Sequence, residues 1–116
     1  MSMLSRLFSA SENNFNLDSD SFEEKIKENR NAIVLDVRTE EENSEVRIPR
    51  SLLIDIYRED FISKVEKLDR SKTYLIYCRS GSRSYTALQK MKQMGFENVF
   101  HLKSGISGWR GKVEQG

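Results

Sequence analysis

The stretch Tyr74-Leu75-Ile76-Tyr77-Cys78-Arg79-Ser80-Gly81-Ser82-Arg83-Ser84 decides the fold of this chain, because it places the single cysteine between an apolar run and a helical pattern. Thr73 to Tyr77 is β-branched, aromatic and aliphatic, as a buried strand requires. After the loop, Tyr85, Leu88, Met91 and Met94 recur at helical spacing. Cys78 therefore ends a strand and faces a helix start. A turn over Ser80-Gly81-Ser82 would aim successive backbone N–H groups at the sulfur, and the helix N-terminus adds roughly half a positive charge. Arg79 and Arg83 bring full charges beside it. Such surroundings favour a thiolate, so Cys78 reads as a nucleophile.

Working outward, strand and helix signals alternate. Ser21 with Glu24 reads as a capping box opening a helix whose Phe22 and Ile26 face inward, with the charge run Glu23 to Arg30 on its solvated side. Ala32 to Val37 reads as a buried strand. Thr39 with Glu42 is a second capping box, for a short helix through about Glu45 that ends before Ile48-Pro49. Leu52 to Ile54 reads as a short strand, and Phe61, Ile62, Val65 and Leu68 as the apolar stripe of the next helix. Gly95 stands where a left-handed C-cap belongs, Phe96 can fold back on the last turn, and Val99 to Leu102 is one more strand. Gly105 to Trp109 closes the pattern, with Trp109 as an anchor. Residues 1–14 read as an N-terminal arm, with Leu4, Leu7 and Phe8 at helical spacing. Residues 15–116 form one domain. Alternation of this kind predicts an α/β fold of three layers, a mostly parallel sheet with helices on both faces, and ligands beyond the carboxyl ends of the strands.

Bulk properties narrow the function. With 116 residues there is room for one core. Nineteen basic and eighteen acidic side chains give a formal charge of +1, so the net field offers no reason to expect a nucleic acid or membrane partner. One cysteine forms no internal disulfide, and the first residues lack a signal-peptide pattern, which makes a reducing cytoplasm the expected location. No His, Cys and carboxylate spacing suggests a metal, no cofactor is implied, and there is no second cysteine for dithiol exchange. A Cys-His hydrolase would have to use His101, the sole histidine, which alternates with Phe100 and Leu102 and reads as structural. Met91 and Met94 read as core fillers.

These residues resemble the single-domain rhodaneses, sulfurtransferases that carry sulfur as a cysteine persulfide. The blocks run in order from about Leu17 to Trp109: Leu35-Asp36-Val37-Arg38-Thr39, Glu41-Glu42, Ile48-Pro49, Tyr77 to Ser84, then Gly95-Phe96-Glu97-Asn98-Val99 with Gly105-Ile106 and Trp109. The resemblance implies a rhodanese-like fold and a catalytic role for Cys78. It also implies a substrate cradle made by the amides of Arg79, Ser80, Gly81, Ser82 and Arg83. The implied reaction takes sulfur from a small anionic donor such as thiosulfate and passes it to cyanide or a thiol, or to a protein sulfur acceptor. Arg79 serves either the substrate or a structural role, capping carbonyls or pairing with a surface carboxylate. Arg83 serves either the substrate or an internal ion pair with Glu41 or Glu42, and Asp36 and Arg38 organise the fold. Related phosphatases and arsenate reductases place five residues between cysteine and arginine; here there are four, Arg79 to Ser82, which suits a sulfur atom better than a phosphoryl group. A second reading is a noncatalytic or relay module that binds a protein partner. Where the family reads Gly-His-Ile-Pro-Gly-Ala, this chain has Val46-Arg47-Ile48-Pro49-Arg50-Ser51, and the change is expected in the local shape of that loop.

Overall fold

In the computed structural model, which describes residues 15–116, the elements are β1 (Asn16–Leu17), α1 (Ser19–Glu28), β2 (Ile33–Asp36), α2 (Glu40–Glu45), β3 (Val46–Arg47), β4 (Leu52–Leu53), α3 (Phe61–Glu66), β5 (Tyr74–Tyr77), α4 (Ser82–Gln93), β6 (Val99–Leu102), a 3-10 turn (Ile106–Gly108) and β7 (Glu114–Gln115). The arm expected at residues 1–14 lies outside the described residues. Five strands pair in parallel in the order β1-β6-β5-β2-β4, and β3 with β7 makes a small antiparallel ribbon.

Side-chain alternation along the strands explains the layers. On β5, Tyr74 and Ile76 point with Cys78 into one cluster that holds Phe61 and Val65 of α3 and Ala87, Leu88 and Met91 of α4. Leu75 and Tyr77 point the other way, into a cluster with Phe22 and Ile26 of α1 and with Trp109. Both faces of the sheet are thus covered, as parallel strands buried on both sides demand. The first cluster sets the cysteine on the α4 side, and Gly95 at φ 100 closes α4 while Phe96 N–H bonds the Met91 carbonyl.

The structure corrects several local expectations. Helix α1 is capped by Asp18, whose carboxylate accepts from Ser21 N–H, and not by a Ser21–Glu24 box. Extended backbone at Asp18 suits a cap, and its charge meets the dipole one turn earlier. The Thr39–Glu42 box is present as expected. Ile62, expected on the apolar stripe of α3, is 44% exposed. The helix before Ile48-Pro49 ends at Glu45, because Val46–Arg47 leaves to pair with Glu114–Gln115. Arg50 keeps a left-handed φ of 63 where the family pattern has glycine. Arg47, in the histidine position, donates to the Asn43 carbonyl and pairs with Glu114. The loop thus keeps a glycine-type turn and ties its arginine to the chain's last strand.

Candidate functional site

Cys78 directly follows β5 at the carboxyl edge of the sheet and is 1% exposed. The chain then turns through Arg79 and Ser80 to Gly81, the N-cap of α4, at φ 105. A Cβ at Gly81 would run into the backbone carbonyl of Lys103, so the turn can pass this close to the end of β6 only as glycine. Behind the loop, the turn at Gly105 pins its first residues: Ile106 N–H donates to the Cys78 carbonyl at 2.9 Å and Ser107 N–H to that of Arg79 at 3.1 Å.

This path turns donors onto the sulfur. Gly81 N–H reaches Sγ at 3.1 Å and Ser84 N–H at 3.3 Å, while the Ser84 hydroxyl stands 3.6 Å away. Burial pushes the thiol pKa up, but the amides of Ser84, Gly81 and Ser80, joined by the Ser84 hydroxyl when its proton faces the sulfur, outweigh it and leave the thiol more acidic than an ordinary cysteine. Of the influences expected from the sequence, the backbone N–H groups are among the leading causes of this shift and the charges of Arg79 and Arg83 are not.

Of the predicted cradle, Gly81 N–H bonds the sulfur itself and Ser80 N–H acts on it. The amides of Arg79, Ser82 and Arg83 make no bond to it; those of Ser82 and Arg83 lie in the first turn of α4, whose N–H groups have no partner within the helix. The side chains of Arg79, Ser80 and Ser82 are exposed. Arg79 borders a shallow groove with Glu42, Glu45, Val46, Ser107 and Val113, and no carboxylate among the described residues pairs with it. Arg83 is different: its guanidinium forks onto both oxygens of Glu42 at 2.8 and 3.0 Å, which holds that carboxyl down at about 2. The internal-pair reading of Arg83 is therefore the one its side chain follows, with the exposed ring of Tyr57 lying 5.6 Å from it.

Sequence reasoning named Ser84 only as part of the loop and left Asn16 out. Ser84 Oγ is 2.8 Å from His101 Nδ1, and His101 Nε2 is 2.7 Å from Asn16 Oδ1. The family signal around Cys78 pointed no further than its own loop, and these partners lie 17 and 85 residues apart in sequence. Among the described residues no group of three or more His, Cys, Asp or Glu could hold a metal ion, and no helix is long and apolar enough to cross a membrane.

The family model described as "Rhodanese-like domain" matches residues 18–112. The chain is 29% identical over 93 residues to a protein of Allochromatium vinosum named sulfurtransferase, covering 80% of this chain and 85% of that one. It is 33% identical over 94 residues to YtwF of Bacillus subtilis, whose name provisionally calls it a sulfurtransferase, covering 81% and 88%. Among solved structures, a rhodanese-related protein of Thermoplasma volcanium superposes with a TM-score of 0.75 at 29% identity, over 85% of this chain and 96% of that one.

Proposed function

This chain belongs to the rhodanese-like domain family, and from that premise we propose that Cys78 carries one sulfane sulfur atom as a persulfide between a small anionic donor and a thiophilic acceptor. Family and named relatives support sulfur transfer in general. The observation that carries the finer reading is the sulfur of Cys78 held by two backbone N–H donors at the mouth of a helix, inside a loop of four residues.

In this reading the thiolate attacks the outer sulfur of thiosulfate. The new S–S bond forms as the old one breaks, and sulfite leaves with the bonding electron pair. The outer sulfur then bears the negative charge, and this reading assigns it to the N–H groups of Ser82 and Arg83, which lie in the first turn of α4 and have no partner within the helix. Arg79 supplies the free cation that draws the donor in. A cyanide carbon or a thiolate next takes the outer sulfur, and Cys78 leaves as the thiolate that began the cycle. Because Cys78 is 1% exposed, a donor must reach it with a narrow end, which suits a single sulfur atom better than a phosphoryl group. A free thiolate calls for a reducing compartment, and the cytoplasm is the location proposed.

The test is thiocyanate formation from thiosulfate and cyanide by the purified protein and by Cys78→Ser. Turnover by the native chain that the variant lacks is the expected result. Absence of turnover in a folded protein with a free thiol would overturn the small-donor reading.

A further inference from the structure

Ser84 has one hydroxyl proton and three polar neighbours that decide its direction: the Gly81 carbonyl at 3.2 Å, His101 Nδ1 at 2.8 Å, and Cys78 Sγ at 3.6 Å, which donates to Ser84 Oγ as a thiol and can accept from it as a thiolate. The downward pull of this hydroxyl on the thiol exists only while its proton faces the sulfur. His101 decides whether it does, and Asn16 decides the state of His101. Asn16 Oδ1 is an acceptor only, so at 2.7 Å it takes the N–H of His101 Nε2 and leaves Nδ1 bare. A bare Nδ1 at the shortest of the three distances takes the hydroxyl proton. Ser84 then shows the sulfur a lone pair, which accepts from S–H and gives nothing to a thiolate.

We propose that Asn16 and His101 are positioning residues for Cys78, fixing which way the Ser84 hydroxyl proton points and so whether the sulfur meets a donor or a lone pair. In the neutral state of His101 the thiolate is held by backbone amides alone. It is therefore kept less stabilised and more nucleophilic than the loop could make it. A persulfide has no charge on Sγ, so the same arrangement suits the loaded state without rearrangement. Burial alone keeps His101 neutral, down to about 4. No charged group accounts for that shift; the ring is faced by Ser84 and Tyr85 of α4 and by Asn16 of β1.

The inference deepens the reading of Cys78 as the reacting thiol. Its readout, the pH dependence of iodoacetamide alkylation, needs no sulfur donor, so failure of sulfur loading and failure of this proposal are told apart. His101→Phe removes the acceptor and frees the hydroxyl to turn to the sulfur; the thiol pKa should fall by about one unit, roughly a tenfold gain in thiolate below its midpoint. Asn16→Asp keeps the polar chain and draws a proton onto Nδ1, which then donates to Ser84 Oγ. It should move the thiol in the same direction, and it decides the matter if the phenylalanine variant does not fold. In a Ser84→Ala background neither change should move the thiol further, which a merely structural role would not predict. Nitrogen-15 spectra of the histidine in the native chain should show the proton on Nε2. A thiol pKa that rises or stays fixed in folded variants, an effect that survives Ser84→Ala, or a proton found on Nδ1 would overturn the proposal.

Discussion

Two loops leave the sheet at the carboxyl ends of neighbouring parallel strands, one after β2 at Asp36 and one after β5 at Cys78, and they treat their polar groups in opposite ways. In the first, the two buried charges match each other. Asp36 accepts from the Arg38 backbone N–H, from the Arg38 guanidinium at two points, from Asn43 and from the Tyr77 hydroxyl, and Arg38 also donates to the Val46 carbonyl. Burial and the Asp36 charge push Tyr77 up to about 12, so its hydroxyl stays a donor, and it accepts from Ile48 N–H in turn. In the second loop, amide donors crowd around one sulfur atom and others are left without a partner in the helix. A saturated buried network holds a fold together. A cluster of donors that exceeds its acceptors waits for an anion. The two loops are joined by Glu42 and Arg83, so the matched one steadies the unmatched one.

That contrast can be broken by substitution. The largest effect on stability should come from Asp36→Ala, which leaves Arg38 charged and buried without its partner. We expect a loss of about 3–5 kcal/mol in denaturant unfolding. Gly81→Ala should do the reverse in kind, costing about 2–4 kcal/mol through its positive φ and the Lys103 carbonyl, and raising the thiol pKa because the amide cradle opens. Alkylation against pH checks this; an unmoved thiol in a folded variant would separate the cradle from the acidity.

Glu42→Gln sharpens the link between the loops. The Glu42 carboxyl is depressed from its ordinary 4.5 to about 2, first by the Arg83 hydrogen bond. Its contribution is therefore fully present above about pH 4.5 and is lost as pH falls through 2. At neutral pH the variant should be less stable by about 1–2 kcal/mol, allowing for the pair's partial exposure, and the gap should close toward pH 2. A pH-independent gap would contradict the ion pair. Arg79→Gln should have the smallest effect: an unchanged melting temperature with roughly a threefold to tenfold loss of thiosulfate kcat/KM, shrinking as salt is raised.

Much of this was legible in the sequence where a signal is local. The strands β2, β5 and β6 show their apolar run locally although their pairing is distant, the Thr39–Glu42 box and the left-handed Gly95 rest on near neighbours, and each stands within a residue of where the sequence places it. The two-residue strands β1, β3 and β7 are too short for any period to show, and only their partners make them strands. Asp18 and Ser21 both suit an N-cap and stand one turn apart, so propensity could not choose between them. At the site, Cys78 and its loop declared themselves. The hydroxyl of Ser84, and His101 and Asn16 behind it, did not, because parallel pairing of β1 with β6 is what brings them together.

The central claim is that the unmatched loop makes Cys78 a carrier of one sulfur atom. It is tested most directly by the intact mass of the reduced protein after incubation with thiosulfate, repeated after cyanide and with Cys78→Ser. We predict a gain of one sulfur atom that cyanide removes and that the variant never acquires. No gain by a protein whose thiol is shown to be free, or an equal gain by the variant, would contradict the account.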